Sequence, residues 1–355
     1  MSELKAADIL GASCPLPIAE YPQVLMAHGG GGRLSQMLIA RLFARAFDNP
    51  ALAEMHDGAV LAVNGARLAV TTDSFVVSPR FFPGGDIGSL AVHGTVNDLA
   101  MCGATPLALT AGFVLEEGLA MDELWRVVRG MQTAAEAAGV PVVTGDTKVV
   151  DRGKGDGVFI NTTGLGVVRE GVEISPRRAA PGDVVIVNGP IAQHGIAIMS
   201  VREGLEFETT LESDSAALHG LVGGLLDALG RDVHVLRDPT RGGVSSATNE
   251  IAAAARVGIR LEETAIPIGE EVRGACEILG LDPLYVANEG KALAFVPRAR
   301  ADEALAALRA HPLGREAAVI GEVVADHPGK VFLRSRIGGL RVVDMLSGEQ
   351  LPRIC

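Results

Sequence analysis

The chain ends in a cysteine, Cys355, and a thiol in that position is the most reactive group the sequence offers. A cysteine at a chain end is ordinarily accidental, but an exposed thiol invites oxidation and is costly without a use. Arg353 is expected to offset part of the rise in thiol pKa that a nearby terminal carboxylate causes. Residues 345–355, MLSGEQLPRIC, show no clear periodicity and span roughly 35–40 Å when fully extended. We interpret them as a flexible tail that carries a working thiol.

A glycine-rich segment, His28-Gly29-Gly30-Gly31-Gly32-Arg33, directly precedes an amphipathic stretch. Glycines let backbone N–H groups approach an anion, and a helix start adds the positive end of its dipole. The segment is not a Walker A loop, because no Gly-Lys-Ser/Thr follows. Taken alone, it predicts a phosphate-binding loop or a flexible linker equally well.

Four aspartates stand at predicted element ends, in or near glycine-containing segments: Asp73, Asp98, Asp146 and Asp238. A single aspartate in such a place is usually a cap or a turn former. Four of them suggest a cation site, because Mg²⁺ takes carboxylate oxygens, usually one or two per ion, with phosphate oxygens and water completing its shell. An acidic protein that binds a triphosphate needs such ions.

Two further residues are candidates for moving protons. Lys148 follows Gly145-Asp146-Thr147, and Glu289 lies in Asn288-Glu289-Gly290-Lys291 just before a predicted strand. Both side-chain types serve as general acids or bases. Spacing alone favours the simpler interpretation of two solvated surface charges.

Composition limits the classes of function. The chain has 355 residues with 31 basic and 43 acidic side chains, and the resulting charge of −12 argues against nucleic acid or an anionic membrane as the main partner. No apolar run reaches the roughly 18–20 residues of a membrane span, and no secretory signal is recognisable. The four cysteines are far apart and form no CxxC, which favours reduced thiols in the cytoplasm.

Hydrophobic periodicity predicts mixed strands and helices in the first half of the chain. Residues 1–27 are interpreted as a mobile N-terminal arm. Asn64-Gly65 is a strong hairpin signal between two of the predicted strands. The predicted helices cover 33–47, 87–102 and 121–138, and the predicted strands cover 59–63, 67–73, 106–114, 141–150 and 158–168.

The segment 175–183, SPRRAAPGD, interrupts the periodicity and marks a domain boundary between domains at 28–175 and 180–344. Mixed elements in both halves indicate an α/β or α+β fold. In the second half, the predicted strands cover 184–188, 258–262, 292–296 and 317–325, and the predicted helices cover 195–203, 214–229, 243–256, 269–279 and 300–310.

Along its whole length the chain resembles the HypE family of hydrogenase maturation proteins, carbamoyl dehydratases of the aminoimidazole ribonucleotide synthetase-like superfamily. The internal motifs indicate the superfamily, and the terminal Pro-Arg-Ile-Cys singles out this family. The matching motifs are His28-Gly-Gly-Gly-Gly, Thr71-Thr-Asp-Ser-Phe, Asn97-Asp-Leu-Ala-Met, Gly145-Asp-Thr-Lys, Arg237-Asp-Pro-Thr-Arg-Gly-Gly, Asn288-Glu-Gly-Lys and Pro352-Arg-Ile-Cys.

The resemblance implies a two-domain fold whose N-terminal domain forms a β-barrel across a homodimer, with a second α/β domain packed beside it and a mobile C-terminal tail. It also implies that ATP lies in the cleft with Mg²⁺ on its phosphates. By motif matching, Asp73, Asp98 and Asp238 would hold the metal, Asp146 would support the same region, and the segment from His28 to Gly32 would lie over the phosphates.

The implied chemistry starts from a carbamoyl group that a partner carbamoyltransferase, HypF, places on Cys355. ATP then activates the amide oxygen, and loss of water leaves a thiocyanate, whose cyanide passes to iron on a HypC–HypD scaffold complex. The resemblance places Lys148 and Glu289 near the thiol. We assign Glu289 to proton abstraction or relay and Lys148 to orientation or charge stabilisation, and the reverse assignment remains open.

Two other functions compete with this one. In the first, the same protein phosphorylates a free small molecule, as synthetases of this superfamily do. In the second, it is an assembly scaffold that uses ATP as a conformational switch. Neither function needs a cysteine at the end of the chain. Both are therefore ranked below the dehydratase.

Overall fold

The computed structural model describes residues 23–204, 211–348, 351 and 353–355, and each half of the chain is built on one mixed sheet. Most of the predicted N-terminal arm and Pro352 lie outside the described residues. The first half contains α1 (Arg33–Leu38), β1 (Ala59–Val63), β2 (Ala66–Phe75), β3 (Phe81–Phe82), β4 (Gly85–Asp86), α2 (Ile87–Met101), β5 (Ala104–Glu116), α3 (Met121–Ala138), β6 (Val142–Val150) and β7 (Val158–Val168).

Helix α1 continues through a π-helical turn, Ile39–Phe43, into a last turn at Ala44–Ala46. The five-stranded sheet has the order β1-β2-β7-β5-β6, in which only β5 and β6 are parallel. The predicted hairpin is confirmed, since β1 and β2 pair antiparallel around Asn64 and Gly65. Both residues have positive φ, 49° and 85°, as a tight hairpin turn of this type requires.

Helix α2 is buried along almost its whole length between the first sheet, α3 and the second half of the chain. Asp86 caps its N-terminus by accepting hydrogen bonds from the N–H groups of Gly88 and Ser89, at 2.7 and 3.1 Å. Gly88 lets α3 approach closely, because a Cβ there would lie 2.2 Å from the Val127 carbonyl oxygen. The helix therefore provides a rigid support for the polar residues near its C-terminal end.

The second half forms a seven-stranded sheet with the order β14-β13-β10-β12-β8-β11-β9, in which only β10 and β13 are parallel. The interior strand β8, which pairs with β12 and β11, is buried at every residue. The elements are β8 (Asp183–Val187), α4 (Gln193–Glu203), α5 (His219–Leu229), β9 (Val235–Arg237), α6 (Gly243–Ala255), β10 (Gly258–Glu262), α7 (Glu270–Leu279), β11 (Leu293–Pro297), α8 (Ala301–Arg309), β12 (Ala318–Val324), β13 (Lys330–Arg334) and β14 (Leu340–Val342).

The predicted helix over 214–229 is too long, because α5 begins only at His219. The residues before it are held by Asn97 of α2, whose side chain accepts from the Leu218 N–H at 2.7 Å and donates to the Ala216 carbonyl at 3.0 Å. These bonds between the two halves replace the helical ones. The strands β3, β4, β9, β13 and β14 are not predicted from the sequence, and four of the five are only two or three residues long, too short to show periodicity.

Within the described residues, no helix combines the length and apolar character needed to cross a bilayer.

Two glycine substitutions test the close contact between α2 and α3. We expect Gly88→Ala to lower the free energy of unfolding by about 2–3 kcal/mol, since its methyl group would meet backbone. Gly274→Ala is the control, because a Cβ at that position of α7 meets nothing within 4 Å. It should raise stability by about 0.5–1 kcal/mol. Thermal or urea unfolding measures both, and equal effects of the two substitutions would contradict the close approach.

Candidate functional site

Three aspartates meet in the cleft between the two halves, with one carboxylate oxygen of each within 4.8 Å of the others. Asp57 immediately precedes the β1 hairpin, Asp98 lies near the end of α2, and Asp238 follows β9. Thr71 on β2 donates a 2.6 Å hydrogen bond to Asp98 Oδ2. Two of the four aspartates predicted from sequence are therefore brought together, with Asp57 as an unpredicted third member.

Burial and mutual repulsion dominate the electrostatics of this cluster. Burial raises the pKa of Asp57 to about 7, although Arg237 opposes the rise. Burial also holds the pKa values of Asp98 and Asp238 well above their usual range, and the neighbouring carboxylates raise them further. Buried like charges of this kind favour the binding of a proton or a cation.

Arg237 is the resident cation of the cluster. Its Nε lies 2.9 Å from Asp57 Oδ1, and its other end pairs with Glu250 of α6. Although burial opposes its charge, the surrounding carboxylates, Asp57 first, raise its pKa. One guanidinium between so many carboxylates leaves the cluster with an excess of negative charge when the carboxyl groups are ionised.

Asp73 and Arg241 connect this cluster to the end of the chain. Asp73 lies near the end of β2, and its Oδ1 is 3.9 Å from the Arg241 guanidinium. Burial raises the pKa of Asp73, and Arg241 partly opposes the rise. Burial also raises the pKa of the Cys355 thiol, and Arg241 partly opposes that rise, so one cation serves both the carboxylate and the thiol.

The end of the chain lies inside the cleft, and Cys355 is only 8% exposed. The tail runs alongside the residues that follow β2: the Val76 N–H donates to the Cys355 main-chain oxygen at 2.9 Å, and the Ser78 N–H donates to the Arg353 carbonyl at 3.2 Å. The Arg353 guanidinium pairs with Asp156 and donates to the Val76 carbonyl. The expectation that Arg353 tunes the thiol is therefore wrong, because this side chain anchors the tail while Arg241 faces the thiol.

Glu289 and His194 flank the docked thiol, and the three side chains have donor atoms within 4.8 Å of one another. Burial raises the pKa of the Cys355 thiol well above its usual range, and Glu289 raises it further. Burial likewise raises the pKa of Glu289. Within the described part of the chain, Glu289 Oε1 is buried and has no hydrogen-bond partner, so it is available to a group on the sulfur.

The main chain around Glu289 is fixed by hydrogen bonds from three directions. Asn97 of α2 donates to the Glu289 carbonyl at 3.2 Å, and the Glu289 N–H donates to Asp214 Oδ1 at 3.1 Å. The neighbouring Asn288 donates its N–H to the Pro239 carbonyl at 3.2 Å, and its side-chain oxygen accepts from the Ala192 N–H at 2.7 Å. The position of the carboxyl group relative to the thiol is thus set by both halves of the chain.

The glycine-rich segment covers the thiol. Gly29 and Gly30 line a cavity of about 280 Å³ together with Arg241 and Cys355. Gly31 and Gly32 are packed against the chain itself, because a Cβ at Gly31 would meet Arg241 at 2.6 Å and one at Gly32 would meet the Leu346 carbonyl oxygen at 2.3 Å. The His28 side chain folds back toward the residues before it, and its Nδ1 accepts from the Leu25 N–H at 2.9 Å.

A second cavity, of about 680 Å³, opens on the other side of the aspartate cluster. It is lined by α1 residues such as Arg33 and Gln36, by Asp57 and by Arg237. Its size suits a nucleotide-sized ligand. The large cavity, the aspartates, and the thiol with Glu289 therefore follow one another along the cleft.

Asp146 and Lys148 do not join this arrangement within one chain. They pair with each other at 2.6 Å on the edge strand β6, and both side chains are 70% exposed. Asp73 is in register with Thr162, Ala111 and Gly145 on successive strands, so β6 lies three strand spacings away, about 14 Å. Asp146 also belongs to the opposite face of the sheet, because side chains alternate along a strand.

Three residues that lie at the site are not predicted from the sequence: Asp57, His194 and Arg241. Asp57 had the same signal as the predicted aspartates, an acidic residue beside a glycine at a strand start. Arg241 lies in the same motif as Asp238, and only the aspartate of that motif is predicted as a site residue. His194 had no signal, since a histidine near the start of a predicted helix carries no indication of a partner 160 residues away.

Both halves of the chain are similar to known proteins. The family models described as "AIR synthase related protein, N-terminal domain" and "AIR synthase related protein, C-terminal domain" match residues 55–168 and 180–334. Carbamoyl dehydratase HypE of Cupriavidus necator is 57% identical over 347 residues, 98% of each chain. A solved structure of a HypE–HypF complex matches with a TM-score of 0.83 at 48% identity, over 87% of this chain and 99% of that one.

A structure of HypE in complex with ATP also matches, with a TM-score of 0.79 at 51% identity, over 94% of this chain and all of that one. Matches of this identity and coverage extend through both sheets and the cleft between them. The chain therefore belongs to the HypE family of carbamoyl dehydratases, within the AIR synthase related proteins.

Proposed function

We propose that this protein is the ATP-dependent carbamoyl dehydratase of NiFe hydrogenase maturation and that its substrate is an S-carboxamide on its own Cys355. The observation that carries the proposal is the position of the thiol. It is buried beside Glu289 and Arg241, at one end of a row of buried aspartates that leads to a nucleotide-sized cavity. A free small-molecule substrate would leave this docking of the chain end without a purpose.

The reaction divides into two balanced steps. The amide oxygen of the S-carboxamide attacks the γ-phosphoryl group of ATP, which breaks the bond to the β-phosphate oxygen and releases ADP. One N–H proton passes to water, and a phosphorylated imidate remains on the sulfur. Loss of the remaining N–H proton then expels inorganic phosphate and leaves S–C≡N. Phosphorylation is needed because an amide oxygen is a poor leaving group and phosphate is a good one.

The residues around the thiol fit this chemistry. Arg241 supplies positive charge beside the sulfur, where the activated oxygen carries phosphate charge. Glu289 takes the N–H proton, because it is the buried carboxyl group beside the sulfur and its Oε1 is unpartnered among the described residues. The raised pKa of Glu289 makes its carboxylate a stronger base once ionised.

The aspartates fit a nucleotide-bound magnesium site. Their oxygens are hard ligands, they are buried together, and burial and mutual repulsion raise their pKa values. We assign Asp57, Asp98 and Asp238 as the residues that would hold Mg²⁺, with Asp73 beside them. When bound, the ions would neutralise the phosphate charge that this acidic cleft otherwise repels. The backbone of Gly29 and Gly30, which have no side chains, borders the thiol side of the same site.

A homodimer completes the site in this account. The outer face of the first sheet exposes Leu61, Val63, Val114, Leu165 and Val167, and the edge strand β6 is exposed along most of its length. Apolar sheet faces and open edges of this kind are usually covered by another chain.

A second copy on that face would bring its Asp146–Lys148 pair toward the thiol. Ser74, which lies on the outer face at the end of β2, also lines the thiol cavity, so the face and the cavity adjoin. We therefore assign Lys148 of a second copy to orientation of the carboxamide or stabilisation of its charge.

The proposed cycle requires the tail to move. Cys355 must leave the cleft to receive the carbamoyl group from a HypF-type carbamoyltransferase, return for dehydration, and leave again to pass cyanide to iron on a HypC–HypD scaffold. The docked tail is held by a small number of hydrogen bonds, from the main chain after β2, from the Arg353 side chain and from side chains of α4, which suits reversible docking. These partners and a cytoplasmic location are part of the proposal.

Intact-mass measurement tests the reaction. We expect the protein, incubated with its carbamoyltransferase, carbamoyl phosphate and MgATP, to gain one carbamoyl group and then lose one water only when ATP is present. Cys355→Ala should show neither change, while Cys276→Ala, which removes a buried thiol in α7, should show both. A stable carbamoyl adduct during steady ATP hydrolysis would favour the free-substrate kinase instead.

Replacement of one buried carboxylate should raise the stability of the protein and remove its response to nucleotide. Because folding raises the pKa of Asp98, its ionisation destabilises the folded state at neutral pH. We expect Asp98→Asn to stabilise the protein without nucleotide by about 1–2 kcal/mol and to abolish the further stabilisation by MgATP.

Thermal unfolding with and without MgATP measures both effects. Asp227→Asn is the matched control, because Asp227 is an exposed aspartate paired with Arg169. A variant that responds to MgATP like the parent protein would remove Asp98 from the site.

Mixing two inactive variants tests the contribution of a second copy. Lys148→Ala retains the thiol, and Cys355→Ala retains the lysine. If the lysine acts across the dimer, exchange of subunits between the two variants should restore about a quarter of the parent activity, since half of the dimers then hold one complete site. Activity that stays at the level of the separate variants would place Lys148 in the same chain as its thiol.

A further inference from the structure

His194 contacts the peptide unit that carries the reactive cysteine. Its Nε2 lies 2.8 Å from the Ile354 carbonyl oxygen, and the ring is completely buried. The residue lies in the first turn of α4, and its ring packs edge-on against Phe82 with centroids 5.6 Å apart. Neither the motifs nor the chemistry described above assigns it a role.

The partners of the ring define its tautomer. A carbonyl oxygen can only accept, so Nε2 must carry the hydrogen in the bond to Ile354. Nδ1 lies 2.7 Å from Ser213 Oγ, and that oxygen already accepts from the Ser215 N–H at 3.1 Å. The Ser213 hydroxyl is therefore free to donate to Nδ1. Burial lowers the pKa of His194, which is consistent with a neutral ring that donates at one nitrogen and accepts at the other.

We propose that His194 is the positioning residue for the S-carboxamide, because its Nε2–H holds the Ile354 carbonyl and Ser213 fixes the tautomer that makes this possible. The inference rests on the proposed function and assigns a residue within it. Cys355 is joined directly to the peptide that His194 holds. A tail that turns about this peptide would move the sulfur away from Glu289.

The bond to Ile354 complements the other contacts of the tail. The main-chain bonds from Val76 and Ser78 lie at residues 355 and 353, on one side of the tail. The Ile354 carbonyl is held by His194 of α4, in the other half of the protein, and Arg202 of the same helix also donates to the Arg353 carbonyl. The peptide before the cysteine is thus gripped from both halves, which fixes its rotation as well as its position.

A metal ion is a less suitable explanation for the cluster of His194, Glu289 and Cys355. Their donor atoms lie within 4.8 Å of one another. In the docked tail, however, Nε2 carries a hydrogen that is already used, and Nδ1 accepts from Ser213. Neither ring nitrogen is available to a cation without loss of the bond to Ser213 or the bond to Ile354.

The reactivity of the thiol measures docking without ATP or a carbamoyl donor. We would measure the rate at which Cys355 reacts with a disulfide reagent such as DTNB, in a Cys14→Ser background because Cys14 lies outside the described residues. His194→Ala should react about tenfold faster, since a buried carbonyl loses its donor. Ser213→Ala should react about two- to threefold faster, because the ring keeps its donor but loses the partner that selects the tautomer.

Two substitutions separate the hydrogen bond from the packing of the ring. The Gln side-chain amide reaches nearly as far as the histidine Nε2, whereas the Asn amide reaches only as far as Nδ1. His194→Gln should therefore keep a reactivity within about twofold of the parent, and His194→Asn should resemble His194→Ala. Ser200→Ala, a buried serine of α4 that bonds only within its own helix, is the control for general loosening of α4.

The same variants are then carbamoylated and followed through one turnover with MgATP. The rate of water loss should fall about tenfold in His194→Ala and His194→Asn and recover in His194→Gln, with ATP affinity unchanged. Parent-like thiol reactivity in His194→Ala, or a His194→Gln variant as impaired as His194→Ala, would overturn the proposal. If no variant or parent loses water while the reactivity series holds, the proposed reaction fails and the docking role of His194 stands.

Discussion

Several carboxyl groups are buried together in one cleft, and removal of so much negative charge from water is the constraint on which the rest of the structure depends. Asp57, Asp98 and Asp238 each have a carboxylate oxygen within 4.8 Å of the other two, and Asp73 and Glu289 lie near them. Two arginines, Arg237 and Arg241, supply the resident positive charge. Buried like charges of this kind destabilise the folded chain, so other parts of the fold must hold them in place.

The contacts that hold these carboxyl groups in place are local and rigid. Helix α2 is capped by Asp86 and pressed against α3 at Gly88, and near its other end it bears Asn97 and Asp98 side by side. Asn97 ties the helix to the segments around Ala216 and Glu289 in the second half of the chain, while Asp98 faces the cleft. The same helix thereby fixes both Asp98 in the aspartate cluster and the main chain of Glu289 beside the thiol.

Much of this could be predicted from the sequence where the cause is local. The hairpin at Asn64-Gly65, the helices α2 and α3 and most strands follow from turn chemistry and periodicity, which act over a few residues. The parts that could not be predicted depend on contacts between distant segments, such as Arg237 with Asp57 and His194 with Ile354. Lys148 shows the same limit, because its motif is recognisable but its exposed place on β6 follows only from the order of the strands.

The most direct test of the account follows the amide oxygen. The tail can be converted to its S-carboxamide with cyanate labelled with ¹⁸O, and one turnover with MgATP then carried out in unlabelled water. Transfer of the amide oxygen to the γ-phosphoryl group predicts one ¹⁸O in the inorganic phosphate for each thiocyanate formed on Cys355, measured by ³¹P NMR or mass spectrometry. Unlabelled phosphate alongside a labelled amide or labelled water would contradict activation of the carboxamide by ATP in this cleft.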